Sequence, residues 1–181
     1  MTENLINALA ISGAAGTGKT TIANQIGRLT GWTVVGAGGD FRAIRGDQAD
    51  IGASTGTDQQ HDSIDYRMLL AMIEGRSIAE GRVAAVIAYK NNLKNTKRVL
   101  LVCDEELSAL RIWQRDGGKL YTSLKEARIV TSEREADNLR VFTDRLQLSY
   151  LDPSFYDLTI NTGNYNVEQT LGMVMASIHD K

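Results

Sequence analysis

The chain contains the stretch Gly13-Ala14-Ala15-Gly16-Thr17-Gly18-Lys19-Thr20, which fills every fixed position of the pattern G-x-x-x-x-G-K-S/T. An apolar run at residues 9–12 precedes it, and a helical pattern begins at Lys19. Glycines let successive backbone N–H groups turn inward towards phosphate oxygens, and the following helix adds unpaired donors and the positive end of its dipole. The stretch therefore predicts a P-loop that holds the phosphates of a nucleoside triphosphate.

Two side chains of this loop have predicted chemical roles. Lys19 supplies a positive charge to the outer phosphates, and the hydroxyl of Thr20 can ligate Mg²⁺. The predicted ATP-binding positions of the loop are Gly13, Ala14, Ala15, Gly16, Thr17, Gly18, Lys19, Thr20 and Thr21. A P-loop identifies the phosphoryl donor and leaves the acceptor open, because kinases, GTPases, ATPases and motor domains share it. The GTPase alternative is weak, since residues 95–98 lack the aspartate of the N-K-x-D guanine-recognition pattern.

Beyond the loop, short apolar runs alternate with longer helical patterns, which is typical of parallel βαβ units. The predicted strands are residues 9–12, 32–35, 77–80, 99–103 and 158–161. The predicted helices begin at Lys19, cover about 63–74, follow Asp104, span about 123–146 and begin after Asn166, which can cap the last one. We therefore expect an α/β protein with the P-loop NTPase fold: a five-stranded parallel sheet flanked by helices.

Composition limits the class of protein. With 181 residues, 43% of them hydrophobic, the chain can build one sizeable core. A net charge of -2 gives no electrostatic footprint for nucleic acid or for an anionic membrane. The single cysteine, Cys103, cannot form an internal disulfide, and no apolar run approaches the ~20 residues of a membrane helix. We expect a cytoplasmic protein without nucleic-acid or membrane partners; its oligomeric state stays open, with a monomer favoured.

Two stretches interrupt the strand–helix alternation. Residues 43–61 are polar and rich in glycine, aspartate and glutamine, and residues 115–150 are highly charged. In a doubly wound sheet, insertions at the carboxyl ends of the strands lie where ligands bind. Solvated surface is the alternative interpretation, and composition alone favours it.

The predicted strand at 77–80 ends in Glu80-Gly81-Arg82. Beside a P-loop, Glu80 can hold Mg²⁺ through water or orient the acceptor, and Arg82 can bind an acceptor phosphate bidentately. Without the P-loop, a surface ion pair at a strand end would be the better interpretation.

Several further blocks of sequence share a common resemblance. They are Gly38-Gly39-Asp40-Phe41-Arg42, Ile64-Asp65-Tyr66-Arg67, Glu80-Gly81-Arg82, Arg111-Ile112-Trp113-Gln114-Arg115, Arg134-Glu135 and Tyr156-Asp157-Leu158-Thr159-Ile160-Asn161-Thr162. In order and spacing these blocks resemble the short cytidylate kinases of archaea and some bacteria, over nearly the whole chain. The resemblance implies an adenylate-kinase-like fold in a single domain. The core of that domain would consist of residues 1–36, 75–115 and 150–181. An insertion at about 37–74 would bind a nucleoside monophosphate (NMP), and a mobile lid would span about 116–149.

The resemblance also implies an activity: phosphorylation of a nucleoside monophosphate, CMP and usually dCMP, to the diphosphate, with ATP as donor and Mg²⁺ as cofactor. By the same resemblance Arg42 and Arg82 would bind the acceptor phosphate. Asp65, Arg67 and Glu80 would belong to the acceptor side. Arg111 would lie against the donor adenine, and Asn161 and Thr162 would border it. The implied catalytic set is Lys19, Arg115 and the lid arginines Arg134 and Arg140.

The chain departs from the family pattern at some positions, so two alternatives stay open. The family usually has arginine at the position of Ser108, and arginine followed by tyrosine where this chain has Val141-Phe142. One alternative is another P-loop kinase, whose acceptor is a different nucleotide, a nucleoside or a small alcohol. The other is a non-catalytic nucleotide-binding protein that has lost the function of its lid.

Overall fold

The computed structural model describes residues 5–38 and 52–179. In this part of the chain one sheet contains five parallel strands, in the order β2-β3-β1-β4-β5. The strands are β1 (Ala8–Ser12), β2 (Thr33–Gly36), β3 (Ser77–Glu80), β4 (Thr96–Val102) and β5 (Leu158–Asn161). The first strand lies at the centre of the sheet, where Ala8 is in register with Ser77 of β3 and with Thr96 of β4.

Helices cover both faces of the sheet. They are α1 (Lys19–Thr30), α2 (Asp58–Glu74), α3 (Ala84–Lys90), α4 (Glu105–Asp116), α5 (Leu124–Leu146) and α6 (Val167–His179), with short 3₁₀ turns at Ala53–Thr55 and Pro153–Phe155. Because successive strand residues point to opposite faces, Ala8 and Ala10 face the core formed with α2 and α3, whereas Leu9 and Ile11 face α1 and α6. The predicted α/β fold with a five-stranded parallel sheet is confirmed.

Helix boundaries follow local capping. α1 begins at Lys19 and α5 begins after Ser123, whose hydroxyl accepts a hydrogen bond from the backbone N–H of Glu126; both boundaries agree with prediction. α2 begins five residues before its predicted start, because Thr57 and Gln60 form a reciprocal capping box. The sequence analysis did not predict α3. Residues 84–88 are all buried, so this short helix has no polar face to mark its period.

Of the helices that the structure describes, the two longest are α2, with 17 residues, and α5, with 23. α5 packs along α4 and against the 3₁₀ turn at Ala53–Thr55. It includes most of the region that the resemblance assigns to a lid. Among the described residues, no helix is both long enough and apolar enough to cross a bilayer.

Candidate active site

The P-loop is fitted tightly against β4 and α4. Gly13 and Gly16 have φ angles of 147° and 73°, in the region that favours glycine. A Cβ atom at Gly13 would lie 2.2 Å from the carbonyl oxygen of Leu101, and one at Gly16 would lie 2.6 Å from Oγ of Ser108. The Ser108 hydroxyl also donates a hydrogen bond of 2.7 Å to the carbonyl oxygen of Ala15. The loop can therefore take this shape only with glycine at both positions.

Lys19 folds back over the loop. Its Nζ atom donates to the carbonyl oxygen of Ala14 at 2.6 Å and lies 3.5 Å from Oγ1 of Thr17. Burial, reinforced by the positive charge of Arg82, lowers the pKa of Lys19 to about 8. The side chain is thus still mainly protonated at neutral pH, and an arriving phosphate would meet it at the centre of the loop.

Thr20 and Glu80 lie side by side. The hydroxyl of Thr20, in the first turn of α1, donates a hydrogen bond of 3.2 Å to Oε1 of Glu80, which ends β3 and is 5% exposed. A hydroxyl and a carboxylate oxygen are ligands that suit Mg²⁺, which takes few protein ligands and completes its shell with water and substrate phosphates. This pair fits a magnesium ion, although the described residues contain no cluster of three or more His, Cys, Asp or Glu side chains that could hold a metal.

One cavity of about 1110 Å³ extends from the P-loop to the facing sides of α2 and α5. At one end it is lined by the P-loop together with Arg111, Arg115 and Thr162. At the other end it is lined by residues from β3, α2 and α5, including Arg82 and Asp65. A cavity of this size exceeds that of a typical site for one small ligand, so it has room for two nucleotides.

Arg111 joins the P-loop to the segment after β5. Its guanidinium donates to the carbonyl oxygen of Gly16 at 3.3 Å, to Oγ1 of Thr162 at 2.9 Å and to the carbonyl oxygen of Thr162 at 2.9 Å. The hydroxyl of Thr162 also lies 3.2 Å from the carbonyl oxygen of Thr17. Arg115, one turn further along α4, is exposed and lines the cavity. Arg111 is therefore held by the scaffold, whereas Arg115 is available to a ligand.

An ion pair crosses the middle of the site. The guanidinium of Arg82 donates to both carboxylate oxygens of Glu135 on α5, at 3.2 and 3.0 Å. The hydroxyl of Tyr150 donates to the same carboxylate, and the backbone N–H of Ala15 in the P-loop points at it from 3.5 Å. Burial opposes ionisation of Glu135, but the Arg82 guanidinium and these hydrogen bonds lower its pKa to about 2. Glu135 is thus a carboxylate at every physiological pH.

The end of the cavity lined by β3, α2 and α5 also contains two polar side chains, Asp65 and Asn138. Oδ2 of Asp65 lies 3.4 and 3.3 Å from the guanidinium nitrogens of Arg145, yet burial raises the pKa of Asp65 to about 6. Asn138 on α5 is 3% exposed, and its Oδ1 accepts a hydrogen bond of 2.8 Å from the backbone N–H of Ala53. That bond fixes the orientation of the amide, because only its oxygen can accept. Its Nδ2 is buried and has no hydrogen-bond partner among the described residues.

Comparison with known proteins identifies the family. The cytidylate kinase of Methanocaldococcus jannaschii is 30% identical over 175 residues, which cover 94% of this chain and 96% of that protein. The cytidylate kinase of Pyrococcus horikoshii is 29% identical over 178 residues, covering 94% and 87%. The chain belongs to the cytidylate kinase family. No family model matches it.

A solved structure gives the same fold. The gluconokinase of Sinorhizobium meliloti superposes with a TM-score of 0.64 over 97% of this chain and 93% of its own, at 12% sequence identity. At that identity the likeness concerns the fold alone. Together with the family, it confirms the predicted P-loop phosphotransferase, and the cytidylate kinase relatives support nucleoside monophosphate kinase activity.

Most of the site residues predicted from the sequence of this kinase line the cavity described above. They are Ala15, Gly16, Thr17, Gly18, Lys19, Thr20, Thr21, Asp65, Glu80, Arg82, Arg111, Arg115, Arg134 and Thr162. Gly13 and Ala14 form the base of the P-loop, outside the lining. Arg42 lies outside the described residues.

Three predicted residues lie away from the cavity lining. Arg140 is on the exposed side of α5, where its guanidinium forms an ion pair of 2.9 Å with Asp137. Arg67 is exposed on α2. Asn161 turns to its own loop, since its Oδ1 accepts a hydrogen bond of 2.9 Å from the backbone N–H of Gly163.

Sequence reasoning assigned no role to three residues of the site: Glu135, Asn138 and Tyr150. One signal for Asn138 was present, because Arg134, Asn138 and Phe142 recur at four-residue spacing and so share a face of α5. All three of these residues are buried and line the cavity. Tyr150 follows the helix and carried no comparable signal.

Proposed function

We propose that this kinase transfers the terminal phosphoryl group of ATP to CMP or dCMP in the presence of Mg²⁺. The observation that carries the proposal is one continuous cavity with the P-loop and Lys19 at one end and Arg82, Asp65 and Asn138 at the other. A site that joins two phosphate-binding regions is what transfer between two nucleotides requires. The names of the cytidylate kinase relatives support CMP as the acceptor.

At the donor end, the P-loop amides and Lys19 would hold the β- and γ-phosphates, and Thr20 with Glu80 would hold the magnesium ion. Bound Mg²⁺ neutralises negative charge on the donor phosphates. An oxygen of the acceptor phosphate attacks the γ-phosphorus, while the bond from that phosphorus to the β–γ bridging oxygen breaks and its electrons remain on ADP. Lys19 and Arg115 would balance the charge of the moving group, because both line the cavity beside the loop.

At the acceptor end, Arg82 would bind the phosphate of CMP bidentately once it leaves Glu135. Arg42 would assist it. Asp65 and Asn138 would meet the base, with the side chains of Ile64 and Phe142 as apolar walls. Cytosine presents an amino donor beside a ring nitrogen and a carbonyl that accept. The Asp65 carboxylate can accept from the amino group, and the Asn138 amide can donate to the acceptor atoms. Arg67 would contribute to acceptor binding from a greater distance, since it is exposed on α2.

The lid would be the region 116–149, of which α5 is the main part. Its function would be to keep water from the phosphoryl group during transfer. Arg134 would contribute from this region; it is buried and lines the cavity. Arg140 would reach the phosphates only after its ion pair with Asp137 breaks. Asn161 and Thr162 would border the donor base through the segment that follows β5.

A competition assay tests the acceptor. Equimolar CMP, dCMP, UMP, AMP and GMP are supplied with limiting MgATP, and the diphosphates are quantified, with a reaction lacking any acceptor as blank. We expect kcat/KM for CMP and dCMP to exceed those of the other monophosphates by roughly 10–1,000-fold, because a base with the wrong pattern leaves a buried polar group unpaired.

Other outcomes separate the alternatives. A preference for AMP or UMP would overturn the cytidine assignment and leave a monophosphate kinase. The assay is then repeated with nucleosides and small alcohols as acceptors, and release of ADP with these alone would place the chain among other P-loop kinases. Tight ATP binding without formation of ADP in the presence of any of these acceptors would show a non-catalytic nucleotide-binding protein.

A further inference from the structure

Glu135 occupies a position between the two proposed phosphate subsites. One of its carboxylate oxygens, Oε2, faces both the P-loop N–H of Ala15 at 3.5 Å and the guanidinium of Arg82 at 3.0 Å. The other oxygen accepts from Nε of Arg82 at 3.2 Å and from the hydroxyl of Tyr150. A P-loop amide and a bidentate arginine are also the groups that would bind substrate phosphates. Glu135 therefore uses ligands of both subsites at once.

The electrostatics agree with this geometry. The positive charges of Arg82 and Lys19 both favour ionised Glu135, and Glu135 in turn favours protonated Lys19. Its side chain is 19% exposed and that of Arg82 is 26% exposed, so the pair is only partly screened by solvent. A phosphate entering either subsite would meet this carboxylate as a like charge at close range, and Glu135 must then give up its contacts.

We propose that Glu135 is a positioning residue that couples the two substrates: the first nucleotide to bind displaces it, and the second then binds a site already vacated. This inference rests on the proposed function. In the empty enzyme Glu135 keeps Arg82 oriented and balances the surplus of positive charge. Displacing Glu135 costs free energy once, and only the binding of the first ligand is weakened by that cost.

The coupling has a defined thermodynamic form. When only the open arrangement binds substrate, the apparent Kd of each substrate alone is its intrinsic Kd divided by the open fraction. Binding of one substrate opens the site, so the Kd of the other falls to the intrinsic value, and the effect is reciprocal. Removing the charge of Glu135 should lower the Kd of each substrate alone and leave the Kd in the ternary complex unchanged.

The experiment is isothermal titration calorimetry with CMP and with a non-hydrolysable ATP analogue plus Mg²⁺, each alone and each in the presence of the other. In the wild-type protein we expect CMP to bind at least about fivefold more tightly when the analogue is present, the lower end of typical coupling. In Glu135→Gln we expect CMP alone to bind about as tightly as it does in the wild-type ternary complex. The remaining coupling should be close to onefold.

Two further variants keep the result interpretable. Tyr150→Phe removes one hydrogen bond from Glu135 without creating a cavity, so its coupling should lie between that of the wild type and Glu135→Gln. Glu133→Gln makes the same charge change at an exposed position of α5 and should leave the coupling at the wild-type value. Far-UV circular dichroism of each variant checks the fold.

Two outcomes would overturn the inference. Weaker binding of each substrate alone by Glu135→Gln would mean that Glu135 only orients Arg82. An unchanged coupling factor would mean that Glu135 does not couple the binding of the two substrates. If CMP binds neither the wild-type protein nor any variant, the proposed phosphoryl acceptor is wrong. The Kd of the ATP analogue then tests the role of Glu135 without CMP. That Kd must fall in Glu135→Gln, and an unchanged value contradicts the role of Glu135.

Discussion

The two halves of the cavity are built in different ways. The proposed donor half is built around the eight consecutive residues of the P-loop, whose backbone is held by its neighbours: Gly13 lies against Leu101, and the side chains of Ser108 and Arg111 donate to carbonyl oxygens of the loop. The acceptor half is assembled from α2, the end of β3 and α5. Its charged groups hold one another, as Arg82 does with Glu135 and Arg145 with Asp65. The proposed donor half is thus held by contacts to its backbone, whereas the proposed acceptor half would have to exchange ion-pair partners to bind a phosphate.

The largest effect is expected at the centre of the preformed half. Lys19→Ala should lower kcat by about 10³-fold or more, because it removes the positive charge that would lie next to the moving phosphoryl group. Steady-state ADP release measures the loss. Lys94→Ala, at an exposed position far from the motif in sequence, is the control for the loss of a lysine. Near-normal turnover of Lys19→Ala would contradict the assignment of the P-loop to catalysis.

The next effect tests whether the donor half is rigid. In Gly16→Ala the added methyl group would meet Ser108 at 2.6 Å, so the loop must move, and we expect KM for ATP to rise by about 10–100-fold. Gly31→Ala is a matched control outside the site: its φ of 71° resembles the 73° of Gly16, but no atom lies within 4 Å of the added carbon.

In both alanine variants the left-handed backbone conformation lowers the free energy of unfolding by roughly 1–2 kcal/mol. Thermal unfolding should therefore show comparable losses of stability from strain, with only Gly16→Ala changing the KM for ATP. An equal rise of KM in both variants would show that backbone strain alone is responsible, and that the loop yields to its neighbours.

The smallest effect is the pH dependence of the acceptor half. Burial raises the pKa of Asp65 to about 6. As the pH falls through that value the carboxylate becomes protonated, and it can no longer accept the proposed hydrogen bond from the cytosine amino group. The phosphate of CMP also titrates near pH 6. In the wild-type protein log kcat/KM for CMP should therefore fall about twice as steeply below pH 6 as in Asp65→Asn, which retains only the phosphate step. Identical slopes would remove Asp65 from base recognition.

The same contrast decides what could be predicted from the sequence. The P-loop is local, so its residues, the strand before it and the start of α1 at Lys19 are visible as one motif. The family blocks extend this to Arg82 and Arg134. Glu135 appeared within a block, but its role depends on Arg82, 53 positions away, and on Tyr150. No periodicity encodes such a pairing.

Secondary structure shows the same limit on a smaller scale. The β3 strand coincides with its prediction, and all four of its residues are buried, as expected of a strand covered on both faces. The helix α3 was missed because burial on all sides removes the polar face that a periodic pattern needs. Local capping would have given the start of α2, since Thr57 and Gln60 carry the residue types of a capping box.

The central place of β1 in the sheet has a consequence for how the chain folds. Neither strand that pairs with β1 is its neighbour in sequence: Ala8 meets Ser77 of β3 on one side and Thr96 of β4 on the other. Pairings over such distances carry a large loop-closure entropy and form late. Gly13 in turn rests on the carbonyl oxygen of Leu101, in β4. We therefore expect the P-loop to be among the last parts of the chain to take shape, and a nascent chain that ends before β4 to have the sequence of a P-loop without its structure.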